Sequence, residues 1–142
     1  LFICSSAALV AITSPTGVIV NNVFILGFTL FIFGFVIEII ADNQKSAFRS
    51  IEENKGSFIN EGLWTRSRHP NYFGEISLWT GITVMGISSF VGMNYLALFS
   101  PIFTYLLLNH ISGVRILEAR GHKKWGHLDE YNNYKKSSFR KT

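Results

Sequence analysis

The chain is 142 residues long, 48% hydrophobic and 15% charged, with 13 Lys and Arg against 9 Asp and Glu for a net charge of +4; a soluble domain carries roughly 25% charged residues. Every Lys and Arg falls within residues 45–68 or 115–142, with apolar sequence between the two blocks. That pattern excludes a disordered chain, a coiled coil and a soluble enzyme of mixed surface charge, and predicts an integral membrane protein. The single cysteine, Cys4, cannot build a disulfide framework, and the four His are scattered without zinc-ligand spacing, so no metal site is expected. The positive excess reads as the basic rim of a membrane protein, with no nucleic-acid partner.

Residues 1–12 are apolar but too short to span a bilayer, and the chain opens inside that run without Met or a signal peptide; a truncated first span at the head of a C-terminal fragment is expected. Pro15 and Gly17 mark a turn. Residues 18–41 supply 24 positions with one charge, Glu38, or roughly 36 Å of helix, enough to cross with some tilt. Gly27 and Gly34 stand seven apart, as small residues do where helices approach closely. Residues 42–69 are a polar loop that continues helically at first and stops around Lys55-Gly56-Ser57. Pro70 suits the first turn of a helix, and residues 70–91 form the next span, rich in small residues. Residues 95–114 form the last span, with Pro101 near its start and Asn109, His110 and Ser112 crowding its end. Residues 115–142 are a basic tail.

The expected architecture is all-α: one membrane domain over residues 1–142, a polytopic bundle of about three full spans plus the truncated first. Both charged blocks then lie on one side, which the positive-inside rule makes cytoplasmic. A bacterial inner membrane and an endoplasmic reticulum satisfy it equally, and the sequence carries no sign of oligomeric state.

Two constellations stand out. Glu38, Asp42, Lys45 and Arg49 recur at 0, +4, +7 and +11, one helical face running out of the apolar span. They read either as ion pairs on a solvated face or as a polar ligand site, since an intramembrane carboxylate normally faces a protein interior or watery cavity. Arg66, Arg68 and His69 precede the Pro70 helix, whose N-terminus favours an anion; snorkelling at the interface is the other reading. Arg68, Asn71, Tyr72 and Glu75 share a face. The tail, with Arg115, Glu118, His122, Trp125, Tyr131 and Tyr134, reads as a solvated or headgroup-binding segment. No dinucleotide-binding glycine loop, Walker A loop or nucleophile elbow is present.

Gly62-Leu63-Trp64 followed by Ser67-Arg68-His69-Pro70-Asn71-Tyr72-Phe73-Gly74-Glu75 resembles the signature of the steroid 5-alpha-reductase C-terminal-domain family. Asp42, Gln44, Lys45, Phe48 and Arg49 resemble its preceding helix, and Ser112-Gly113, Leu117-Glu118 and Tyr131/Tyr134 its closing segment. The resemblance covers roughly residues 38–136. It implies a membrane enzyme that reduces a carbon–carbon double bond with NADPH in a steroid, sterol, enoyl lipid or similar apolar enone taken from the bilayer. It further implies that Asp42, Lys45, Arg49, Leu63, Trp64, Arg68, His69, Asn71, Tyr72, Glu75, Glu118 and Tyr131 bind the cofactor, with Arg115 and the tail tyrosines closing the site. Steroid reductases also use a Glu/Tyr pair in their N-terminal half; residues 1–37 contain neither, so no catalytic acid is assigned. The His69-Pro70-x-Tyr72-x-Gly74 core is shared with membrane methyltransferases of the isoprenylcysteine carboxyl methyltransferase type, which makes S-adenosylmethionine the alternative cofactor. That family shows paired glutamates after its last span, whereas here Ala119 follows Glu118. A non-enzymatic membrane protein keeping the fold is the third reading.

Overall fold

The computed structural model describes residues 2–108 and 113–138, and every regular element among them is helical. Six α-helices occur in chain order: α1 (Phe2–Thr13), α2 (Asn22–Ser50), α3 (Pro70–Gly86), α4 (Phe99–Leu106), α5 (Val114–Trp125) and α6 (Asp129–Ser137). Asn109, His110 and Ser112 fall outside the described residues, as does the side chain of Cys4.

The expected turn at Pro15 and Gly17 is present, with Gly17 at φ 66°. Asn21 then caps α2, its side chain accepting from the Phe24 N–H at 3.0 Å. From there α2 runs unbroken for 29 residues, carrying the polar stripe out of the apolar segment on one rod. Its buried positions are Gly27, Gly34, Ala41 and Phe48, a strict seven-residue repeat. Much of its remaining apolar surface, including Ile25, Leu26, Phe33 and Val36, is exposed. Only 11% of its most apolar stretch is buried inside the protein, so this helix turns its hydrophobic side chains outward, as a lipid-facing helix does.

Antiparallel α3 packs along that repeat through glycines of its own. A Cβ at Gly34 would fall 2.5 Å from the Gly74 carbonyl oxygen, and one at Gly81 would fall 2.6 Å from that of Gly27. Two pairs of heptad-spaced glycines therefore bring the backbones into contact, a geometry that larger side chains forbid. Pro70 opens α3 at its first position, where its missing N–H costs nothing.

The later spans differ from expectation. α3 ends at Gly86 and a 3-10 turn, Ile87–Ser89, follows it. Of the expected span over 95–114, the described residues do not form one α-helix: Gly92–Leu98 coils as 3-10, and α4 follows over Phe99–Leu106. Pro101 explains the break. It has no N–H for the Ala97 carbonyl and its ring crowds that turn, so an α-helix begins only at Phe99. Among the described residues one helix, α2, is long and apolar enough to cross a membrane.

Both ends of the α2/α3 pair are tied. At one, the Ser14 hydroxyl donates to the Ser89 carbonyl at 2.7 Å, the Ile19 N–H to the Ser89 hydroxyl at 3.2 Å, and the Asn21 amide to the Ser88 hydroxyl at 2.8 Å. At the other, the two basic blocks come together.

Candidate functional site

The site grows from the end of α2. Past Ala41 the helix presents Lys45, Phe48 and Arg49 toward the segment that leads into α3. That segment is pinned by Trp64, which is 4% exposed. The Trp64 indole N–H donates to the Ala41 carbonyl at 3.0 Å, and the Tyr134 hydroxyl donates to the Trp64 carbonyl at 2.5 Å. Next to it the Leu63 N–H donates to Gln44 Oε1 at 3.0 Å. The Lys45 ammonium sits 5.0 Å over the Trp64 ring, a cation–π contact.

Glu118 of α5 bridges the two residues before α3. Its Oε2 accepts from Arg68 Nη1 at 2.5 Å and its Oε1 lies 2.9 Å from His69 Nε2. Arg68 is 5% exposed, and this partner offsets part of the cost of burying its charge. Burial works to raise the Glu118 carboxyl, but the His69 hydrogen bond and the Arg68 charge outweigh it and hold the group below the usual carboxylate range. The His69 ring in turn stacks on Tyr72 at 5.6 Å and 17°. The anion that helix chemistry invites near the start of α3 is thus a carboxylate of the chain itself.

An aromatic cluster closes the other side. Phe58 stacks on Tyr134 at 5.4 Å and meets Tyr131 edge-on at 5.1 Å. Trp125 packs at 5.7 Å from Tyr131, and its indole N–H donates to the Gly56 carbonyl at 2.5 Å. Burial, with Glu118 nearby, raises the Tyr131 hydroxyl. Burial pushes Tyr134 up to about 12, against the opposing pull of Arg68.

Between these walls lies an open cleft of about 320 Å³, within the range of small-molecule sites. Of the residues expected to bind a cofactor, Lys45, Arg49 and Trp64 line it from one side, and Arg68, His69, Glu118 and Tyr131 from the other. Leu63, Asn71, Asp42, Tyr72 and Glu75 do not line it. Asp42, Tyr72 and Glu75, with Glu38, form a separate polar group at the α2/α3 junction, close enough to feel one another's charge. Trp79 hydrogen-bonds Glu75 one turn along α3. Sequence reasoning passed over Phe58, Arg120 and Lys124, which also line the cleft. Arg120 and Lys124 stand at 0 and +4 with Leu117 and Gly121 on the same α5 face, a spacing that was there to be read. Phe58 sits in an irregular segment with no period to betray it.

The arrangement suits a ligand that is both anionic and aromatic. Five cations line the cleft, Lys45, Arg49, Arg68, Arg120 and Lys124, against one carboxylate, Glu118, already engaged by Arg68. Among the described residues no group of His, Cys, Asp and Glu is placed to hold a metal ion.

The described residues thus combine one outward-facing apolar helix, long enough to cross a membrane, with a cationic, aromatic cleft at that helix's polar end. The chain belongs to the DUF1295 family, whose model matches residues 1–138, is described as a protein of unknown function and is in general terms steroid 5-alpha-reductase-like. It is also similar to a curated protein named "Probable O-methyltransferase ustE" from Ustilaginoidea virens, 26% identical over 95 residues, which cover 66% of this chain and 33% of that protein. The matched stretch is thus about a third of that relative's length. No solved structure matches.

Proposed function

We propose that this chain is the cofactor-holding part of a membrane-embedded, NADPH-dependent reductase. Its substrate class is an apolar enone or enoyl lipid, such as a steroid or sterol, entering from the bilayer. The observation that carries the reading is the cleft's charge balance beside an aromatic wall: a dinucleotide brings several phosphate charges and two flat ring systems. In this reading α2 crosses the membrane, α3 returns along it as part of a multi-pass bundle, and the basic end faces the cytoplasm.

Bound NADPH would supply a hydride for the β-carbon of the substrate alkene. The chain's own residues bind and orient. Lys45 and Arg49 hold phosphate charge, and the rings beside Phe58 offer stacking surface. Asp42, Asn71, Tyr72 and Glu75, nearer the apolar segment, would hold the nicotinamide half.

A second reading, an S-adenosylmethionine-dependent methyltransferase, is favoured by the printed name of the Ustilaginoidea virens relative. The cleft opposes it: a sulfonium centre is a cation, and the walls are already positive.

Titration of NADPH and S-adenosylmethionine side by side into detergent-purified protein decides between them. Saturable NADPH binding that weakens about tenfold or more in Arg49→Ala is the expected result. Binding of S-adenosylmethionine alone selects the methyltransferase, and binding of neither returns the chain to a membrane scaffold.

A further inference from the structure

Each aromatic ring of the cleft already carries a group of the chain itself. Lys45 lies 5.0 Å over the Trp64 ring, Lys124 5.0 Å over Trp125 and Lys135 5.9 Å over Tyr131. These three are ammoniums on flexible stems, free to stay beside an entering anion. Tyr134 differs, because an apolar ring, Phe58, stacks on it at 5.4 Å and 23°. Phe58 also divides two cavities: the cleft and a neighbour of about 370 Å³ share Phe48, Ser57, Phe58 and Trp125 as lining. Its backbone is held only at the ends. At one end Gly56, at φ 90°, accepts through its carbonyl from the Trp125 indole at 2.5 Å. At the other Gly62, at φ 55°, lies against the Gln44 side chain, whose Oε1 accepts from the Leu63 N–H at 3.0 Å. Among the described residues Phe58, Ile59 and Asn60 make no backbone hydrogen bond. Ring contacts therefore keep this segment in place, and a segment without backbone bonds is among the first to open locally.

We propose that Phe58 is a displaceable plug: residues 57–61 form a strap hinged at Gly56 and Gly62, and a flat anionic ligand takes the Tyr134 face that Phe58 covers. The inference rests on the reading above in taking the cleft as the ligand site, and adds how that site opens. Glycine redirects the backbone without a Cβ penalty, and a Cβ at Gly56 would meet open space, so the strap has room to turn there. Swinging Phe58 outward bares Tyr134 and joins the cleft to the neighbouring cavity. One ring then replaces another, so the stacking that Phe58 gives up is made again by the ligand. Lys45, Arg49, Arg120 and Lys124 add an attraction that Phe58 lacks. An anion without a flat ring leaves Phe58 seated, and a neutral ring gains no charge contact to drive the exchange. The plug thus makes the closed cleft answer to ring and charge together.

The test is equilibrium binding of NADPH and of pyranine, a water-soluble aromatic trisulfonate, to the detergent-purified protein and its Phe58→Ala and Phe58→Leu variants. Phe58→Leu keeps apolar bulk where Phe58→Ala might disturb the fold. In otherwise unaltered protein, para-fluorophenylalanine at position 58 reports the ring's surroundings by fluorine NMR. A plug holds down the fraction of open cleft, so both variants are expected to gain about threefold or more in affinity for each probe that wild type binds. On saturation the fluorine signal is expected to move to its position in urea-unfolded protein. A fixed wall gives the opposite sign: Phe58→Leu binds more weakly and the signal stays where it was. That result overturns the plug, as does an affinity unchanged in both variants. Pyranine binding with the expected gain and no NADPH binding keeps the plug and defeats the cofactor reading. NADPH binding with a stationary fluorine signal does the reverse. Wild-type protein that binds neither probe overturns both.

Discussion

Glu118 and Arg68 meet at 2.5 Å across fifty positions of sequence. This contact, with its companion at His69, attaches α5 to the entry of α3 and fixes one edge of the cleft. Glu118→Gln removes the carboxylate charge paired with Arg68 at its 5% exposed position. A loss of about 1–3 kcal/mol is expected, less than for a fully buried pair because Glu118 keeps some solvent contact. Thermal unfolding in detergent measures it.

The same carboxylate sets an acid limit. Its folded pKa lies below the ordinary value, so its contribution is complete above about pH 4.5 and disappears as pH falls through the lower folded value. Wild-type stability is expected to drop on that side, and the Glu118→Gln curve to be flatter there. Melting temperatures between about pH 3 and pH 6 check the sign.

Tyr134 behaves in the opposite sense. Its hydroxyl donates to the buried Trp64 residue's carbonyl, and its pKa is pushed up to about 12. That stabilisation holds below about pH 10 and is lost as pH climbs through about 12. Tyr134→Phe is expected to cost about 1–2 kcal/mol near neutrality and to remove part of the alkaline loss seen in wild type.

Substitution at the helix seam separates packing from backbone strain. Gly34→Ala places a methyl 2.5 Å from the Gly74 carbonyl oxygen and from the Leu78 nitrogen. The backbones must part, at a cost of about 2 kcal/mol or more. Gly56→Ala meets open space but keeps φ at +90°, a penalty of about 1–2 kcal/mol confined to the turn. Melting should fall clearly further for Gly34→Ala than for Gly56→Ala.

Trp125→Phe retains a ring for the aromatic cluster but loses the indole donor to the Gly56 carbonyl. Amide exchange over residues 55–59 is expected to quicken several-fold, with α2 unaffected. Exchange unchanged across that segment would mean that packing at Phe58 alone holds it.

Local features were legible in the sequence where one residue dictates them. Pro70 at a helix start, the turn at Pro15 and Gly17, and the close approach signalled by Gly27 and Gly34 all stand in the structure. The polar stripe on one helix was equally readable, because 3.6-residue periodicity aligns Glu38, Asp42, Lys45 and Arg49. The break before α4 was only half visible: Pro101 was noted, yet an apolar run reads as one span whether or not its backbone is continuous. Long-range pairing was not visible. Arg68 and His69 carry the chemistry of an anion site, and nothing local says that Glu118 already supplies the anion. Gly74 and Gly81 matter only through Gly34 and Gly27, which periodicity within one helix does not connect.

Because α2 is continuous from Asn22 to Ser50, it acts as a ruler between hydrocarbon and cleft. Glu38 and Arg49 are separated along its axis by about 17 Å, and their relative bearing is set by helical rotation alone. One residue inserted between Asp42 and Lys45 would advance everything beyond it by about 1.5 Å and swing it by about 100°. Lys45, Phe48 and Arg49 would then turn away from Trp64 and the cleft while the glycine seam stayed in register. The distance between the two chemistries of this protein is therefore written in residue count, and the α2 segment is where length, more than identity, is constrained.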